Sequence, residues 1–268
     1  LDMKKATKIM VVMLALAMTL GMFAGCGSDE SDEMVIGMTL FAPMNYYKDE
    51  AKKDLVGFET EFAQAVCAQL GIKAKFQVID WNSKETELKA KNIDCVWNGM
   101  TITDERKANM DISIPYLENR QVMVVKAADL EKYNDQANIA GSKVVAETKS
   151  AGEEVAKTNE MFKDATFTAV DTQAKALMEV AAGTADIAVV DYVMSIGSIG
   201  EGTSYTDLVV TSQKFSPEQY GIAFRKGSDI TPAVNAAIAE LMNDGTMDKI
   251  AATYKLGDQL IKNGAPQN

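Results

Sequence analysis

Strand-length apolar runs alternate with helix-length amphipathic runs twice along this chain, and that alternation restricts the fold more than any other feature. In the first half, Met34 to Leu40 reads as a strand and Phe58 to Leu70 as a helix stopped by Gly71. Lys73 to Val78 then reads as a strand, Ser83 to Ala90 as a helix and Cys95 to Asn98 as a third strand. The second half repeats the order with strand Lys143 to Ala146, helix Ser150 to Met161, strand Thr166 to Ala169, helix Thr172 to Ala182 and strand Ile187 to Val190. Strand–helix–strand alternation builds a mainly parallel sheet with helices on its faces. An α/β chain with two such sheets is therefore expected. The halves also end alike: Lys89 to Asn98 and Ala181 to Asp191 each run helix end, turn, aspartate, apolar strand and a polar residue at the strand mouth. This predicts that Asn98 and Asp191 sit at equivalent strand ends on two lobes.

A third segment returns to strand pattern at Gln219 to Phe224 and closes with helices near Thr231 to Asn243 and Thr246 to Tyr254, Thr231-Pro232 reading as an N-cap followed by proline in the first turn. With no further strands to form a third sheet, these helices pack back on the first lobe. The chain then crosses between lobes twice, near Gln121 to Val125 and near Gln213 to Tyr220, which makes a hinge. Residues 34–121 with 220–262 form lobe 1 and residues 122–219 lobe 2. The roughly 235 residues beyond position 33 suffice for two domains of ordinary size.

The N-terminal segment has a different character. Lys4, Lys5 and Lys8 precede the apolar run Ile9 to Leu20, and small residues follow up to Cys26, the pattern of a secretory signal over residues 1–25. Met3 is read as the natural start, with Leu1 and Asp2 ahead of it. The apolar run is too short to span a membrane. Residues 26–33 form an acidic tether with nothing apolar to bury, expected to be disordered. Removing residues 1–25 takes away three lysines and one aspartate, so the formal charge moves from −11 to about −13. Such an acidic surface argues against nucleic acid as a partner and against anionic lipid headgroups. The chain has no histidine, which removes Ser-His and Cys-His nucleophile systems and every His-ligated metal site. No metal or cofactor is expected. Cys67, on a predicted helix, and Cys95, on a predicted strand, are either a disulfide or two buried thiols.

The densest chemistry lies between Asn92 and Arg106, where a buried strand empties into a polar turn and a helix start. Ligands of open α/β sheets sit outside the carboxyl ends of strands, where helix N-termini converge. Thr103 reads as an N-cap with Arg106 three residues on, and Thr101 places a hydroxyl at the strand mouth. A guanidinium there can grip a carboxylate bidentately, which a lysine cannot. The same residues also fit an exposed arginine paired with Asp104 or Glu105. Asp191 likewise fits either a ligand contact or a cap on the helix from Tyr192, and Phe41 and Trp81 fit either ring contacts or plain core.

Four segments together resemble a known family, the amino-acid-binding solute receptors of ABC importers (bacterial extracellular solute-binding proteins, family 3). They are Leu55 to Glu61, Asn98 to Lys107, Ala185-Asp186 with Asp191, and Gln219 to Ser228. The resemblance implies a two-lobed periplasmic-binding-protein-like fold (type II) with a two-crossover hinge. It implies Arg106 as the clamp on a ligand α-carboxylate, helped by Thr101 and by backbone N–H groups from Ser150 to Gly152. Asp191 and the Gly99 carbonyl would take the α-ammonium. Phe41 and Trp81 match positions whose rings enclose the ligand side chain, Asn98 and Met100 belong to the same turn, and Thr148 matches a variable position. Met38 departs from the acidic residue that some members carry there. Ala24-Gly25-Cys26 resembles a lipobox, which implies diacylation of Cys26 and a monomeric receptor held on the outer face of the cytoplasmic membrane.

On this reading the chain captures a free L-amino acid and hands it to an ABC permease. Two rival readings share the fold: a sensor that reports ligand to a membrane partner, and a secreted enzyme acting on cyclohexadienyl substrates. The enzyme would need a general acid, for which Glu59 and Glu147 are the candidates by position.

Overall fold

The computed structural model describes residues 33–262, apart from Glu50 and Lys52. The signal segment, Cys26 and nearly all of the tether lie outside the described residues. Among the described residues the strands are β1 Glu33–Met38, β2 Tyr46–Tyr47, β3 Leu55–Val56, β4 Lys73–Val78, β5 Cys95–Val96, β6 Met110–Ile112, β7 Leu117–Lys126, β8 Lys143–Glu147, β9 Thr166–Val170, β10 Ile187–Asp191, β11 Leu208–Val210, β12 Pro217–Tyr220 and β13 Ala223–Arg225.

Two main sheets result. The first has the order β4-β1-β5-β13-β6, with β1 parallel to β4 and β5, and β13 antiparallel to β5 and β6. The second has the order β11-β7-β10-β8-β9, with β8 parallel to β9 and β10, and β7 antiparallel to β10 and β11. This is a two-lobed α/β architecture. Alternation along the strands decides which side chains enter which core. In the second sheet Val122, Val124, Ala188 and Val190 enter a large cluster shared with Phe58, Phe62 and Trp97. Met123, Val125, Ile187 and Val189 enter a separate cluster on the opposite face.

Helix boundaries follow the sequence signals closely. Phe58–Gln69 ends before Gly71, which has a φ of 71°. Gln173–Ala182 is capped by the Thr172 hydroxyl, which accepts from the Lys175 N–H at 3.0 Å, and closes on left-handed Gly183. The helix at Thr231–Asn243 differs from expectation: Thr231 lies inside the first turn, and its buried hydroxyl has no hydrogen-bond partner among the described residues. The expected single strand Gln219 to Phe224 is split into β12 and β13, which belong to different sheets. The split falls at Gly221, where a Cβ would lie 2.7 Å from the Ile112 side chain.

β7 is the connecting strand. Its first half, Leu117 to Arg120, pairs with β12, and its second half, from Gln121, pairs with β10 and β11. The C-terminal tail secures its start: Glu118 N–H donates to Gln259 O at 2.7 Å and Ile261 N–H to Tyr116 O at 3.1 Å. Cys67 and Cys95 are buried free thiols, the second of the two alternatives the sequence left open. Burial pushes the Cys67 thiol up to about 11, so it is inert as a nucleophile at neutral pH.

Candidate functional site

The mouths of β5 and β10 meet, as the likeness of the two half-chains predicts. Asn98 and Asp191 line one small space with Trp81, Gly99, Thr101, Arg106, Glu147, Ser150, Ala151 and Gln173. The space measures about 10 Å3, on the scale of one water molecule. The lobes are therefore shut against each other here. Long hydrogen bonds cross the cleft at Lys149: Arg106 Nη2 donates to Lys149 O at 3.4 Å, Lys84 Nζ to Lys149 O at 3.3 Å and Lys149 Nζ to Asn82 O at 3.5 Å.

Arg106 sits in the first turn of the helix Asp104–Asn109, whose N-cap Thr103 accepts from the Arg106 N–H at 3.2 Å. Its guanidinium donates to Thr101 O at 2.6 Å, while Asp104 pairs instead with Lys107 at 3.8 Å. The exposed ion-paired arginine that the sequence also permitted is thus not what forms. The guanidinium points inward, its pKa lowered by burial and raised in turn by Glu218 and Asp191 nearby.

Asp191 occupies the N-cap position of the helix Tyr192–Ser198 but makes no side-chain cap bond. Its carboxylate instead accepts from Asn119 Nδ2 at 2.8 Å, from Gln121 Nε2 at 2.6 Å and from Gln173 Nε2. The Asn119 and Gln121 amides also bond Glu218 Oε1, at 2.8 and 2.5 Å. Two carboxyls thus share two amide donors. Burial raises both, Glu218 to about 7, and the charge of Asp191 adds to the rise at Glu218.

The first-lobe wall is held by Glu59, which is 1 % exposed. It accepts from Gly99 N–H at 2.7 Å, Asn45 Nδ2 at 3.0 Å and the Tyr116 hydroxyl. Burial still raises it to about 7 against those three bonds. Asn45 also donates to Asn98 Oδ1, and Asn98 to the Thr39 hydroxyl at 2.6 Å. Gly99 adopts a φ of 54°, and a Cβ there would lie 3.0 Å from the Phe41 ring, so the turn needs glycine. Glu59 is thereby committed to shaping the turn.

Across the cleft, Ser150 caps the helix Ala151–Thr158 by accepting from Glu153 N–H at 3.1 Å. The first N–H groups of that helix have no partner within it. Gly152 lets the helix lie against β10, since a Cβ there would come within 2.6 Å of Val189 O.

Four residues expected at the site do not line this space. Phe41 is buried in the large core cluster against Gly99, and Met100 is buried beside Trp81, Leu88 and Met110. Thr148 donates its hydroxyl to Val170 O at 3.2 Å, and Gly152 lies behind Ala151 against β10. Sequence reasoning missed Gln173, Asn119, Gln121 and Glu218. A signal for two of them exists: Asn119 and Gln121 share the strand phase of Leu117 and Met123, which puts amides on the same buried face as apolar residues.

Glu147 ends β8 and is pushed up to about 8, by burial first and then by the charge of Asp191, with Lys84 opposing. A carboxyl raised in the folded state favours its protonated form, so its contribution to stability is complete below its ordinary value of 4.5 and is lost as pH rises through about 8. The ligand-free protein is expected to lose stability between pH 5 and 8, and Glu147→Gln to flatten the fall. Each 1 kcal/mol shifts melting by about 2–4 °C for a chain of this size. Calorimetry at pH 5, 6.5 and 8 checks this, and a variant profile that superimposes on the wild type contradicts it.

Two half-sheets whose strand mouths converge on one buried, charged space define a two-lobed binding protein. The sequence profile of bacterial extracellular solute-binding proteins, family 3, matches residues 34–257, and the chain belongs to that family. It is 31% identical to the L-cystine-binding protein TcyJ of Escherichia coli K12 over 252 residues, 92% of each chain. It is 26% identical to the arginine-binding extracellular protein ArtP of Bacillus subtilis 168, over 94% of this chain and 99% of that one. An ancestral arginine-binding protein bound to arginine superimposes with a TM-score of 0.75 at 31% identity, covering 83% of this chain and 98% of its own.

Proposed function

We propose that this protein captures a free L-amino acid between its lobes and delivers it to the permease of an ABC importer. The observation that carries the reading is the placement of Arg106, beside the β5 mouth, and Asp191, at the β10 mouth, around one buried space. An α-amino acid offers one anion and one cation close together. Arg106, the Thr101 hydroxyl and the N–H groups from Ser150 to Gly152 take the carboxylate, while Asp191 and the Gly99 carbonyl take the ammonium. Trp81 flanks the side chain, with Phe41 behind Gly99, Asn98 and Met100 supporting the turn and Thr148 at the rim. The amino-acid ligands in the names of the cystine- and arginine-binding relatives support this class of solute. Residues 34–121 with 220–262 act as one lobe and 122–219 as the other, in a monomer that needs no cofactor.

A thermal-shift screen against the twenty amino acids and cystine tests the reading. A ligand at a hundred times its Kd adds about 2.7 kcal/mol of stability. A restricted set of amino acids is expected to raise the melting temperature, and a flat response across the panel contradicts capture of amino acids.

We also place the protein on the outer face of the cytoplasmic membrane through a lipid on Cys26. Two acyl chains give stable attachment where one is marginal. The wild type is expected to fractionate with membranes in its host, and Cys26→Ser to abolish lipid attachment. Recovery of all wild-type protein from the medium contradicts the anchor.

A further inference from the structure

Glu147 is 4 % exposed and lines the same space as Arg106 and Asp191. It differs from the other buried carboxyls there in having no partner. Glu59 is held by Gly99, Asn45 and Tyr116, while Asp191 and Glu218 share the amides of Asn119 and Gln121. The Glu147 carboxylate takes part in no hydrogen bond and no ion pair within 4 Å among the described residues. Its nearest cations are turned to backbone carbonyls: Lys84 Nζ donates to Trp81 O at 3.2 Å and to Lys149 O, and Arg106 to Thr101 O and Lys149 O. A carboxyl buried this far costs stability unless something pairs with it. The ligand's own head group leaves it free, because Arg106 and Asp191 satisfy the α-carboxylate and the α-ammonium.

On the first lobe Met38 is apolar and 1 % exposed, and the Asp80 carboxylate is occupied by the Asn82 N–H at 2.9 Å.

From the unpartnered Glu147 we infer that the ligand is an α-amino acid carrying a second positively charged nitrogen, an ammonium or guanidinium at the far end of its side chain, which pairs with the Glu147 carboxylate. This rests on the amino-acid-capture reading above. Two kinds of ligand supply that chemistry. A basic amino acid brings the distal cation alone, and a diamino-dicarboxylic acid brings it with a distal carboxylate that Lys84, 3 % exposed and without an ion-pair partner, is placed to meet.

Titration calorimetry with L-arginine, L-cystine and L-citrulline tests the inference, citrulline being the near-isosteric neutral counterpart of arginine. In the wild type at least one of the two charged probes is expected to bind about thirty-fold or more tightly than citrulline, the scale of a desolvated charge pair. Glu147→Gln should shrink that margin to a few-fold. Lys84→Met then separates the sources: a loss for cystine alone points to the distal carboxylate, and no loss for either points to a basic amino acid. Citrulline binding the wild type as tightly as both charged probes overturns the inference, whether or not the variant folds. So does a margin that survives Glu147→Gln. Tight binding of neutral amino acids in the panel would overturn this inference and leave amino-acid capture standing, whereas no binding by any amino acid would overturn both.

Discussion

Arg106→Ala is expected to abolish amino-acid binding, a loss on the order of 3 kcal/mol or more and hence at least about a hundredfold in Kd. The side chain donates to the backbone carbonyls of Thr101 and Lys149 and makes no ion pair among the described residues. Ligand-free melting should change little, the cost being the lost attraction to Glu218 and Asp191. Arg106→Lys should recover little, because a point charge on a flexible stem replaces a planar fork. Calorimetry reads both variants. Near-normal affinity of Arg106→Lys would show that the guanidinium is not a bidentate clamp.

Asp191→Asn is the second large effect. The substitution keeps shape and removes the charge that would neutralise the ligand ammonium, so affinity should fall by about 2 kcal/mol or more, roughly thirty-fold. The asparagine keeps one acceptor for the Asn119 and Gln121 amides and leaves Gln173 Nε2 without its own, so ligand-free melting should fall modestly as well. A helix-capping role would instead leave binding normal. The absent cap bond at Tyr192–Ser198 already points away from that role.

Arg106 and Asp191 could be read from the sequence for a local reason. Asp191 ends an apolar strand and Arg106 opens the helix after one, and strand mouths and helix starts are where α/β sheets place ligand groups. The alternation of runs likewise gave β4 and the helix bounds near Gly71 and Gly183, because glycine after an amphipathic run ends a helix by its own backbone freedom. What escaped is tertiary. Glu59 reads as an ordinary first-turn acid until Asn45, Gly99 and Tyr116 are folded around it. Asn119, Gln121 and Glu218 lie on β7 and β12, which meet only when the chain returns from the second sheet. Gln173 sits one residue past an N-cap, where a polar side chain ordinarily faces water, yet it is spent on both the carboxylate and the N–H of Asp191. The strand split at Gly221 was invisible because alternation in Gln219 to Phe224 continues across it, although the two halves serve different sheets.

Under amino-acid capture, one ligand draws the lobes together by giving Arg106 and Asp191 their counter-charges at once. The hydrogen bonds across the cleft at Lys149 measure 3.3–3.5 Å. Ligand binds the closed state better than the open one and so shifts the population toward it. Small-angle scattering of the wild type, with and without a saturating amino acid that stabilises it in the thermal-shift panel, measures this directly. A smaller radius of gyration with ligand and a blunted contraction in Asp191→Asn are expected. An unchanged radius at saturation would contradict closure by the ligand.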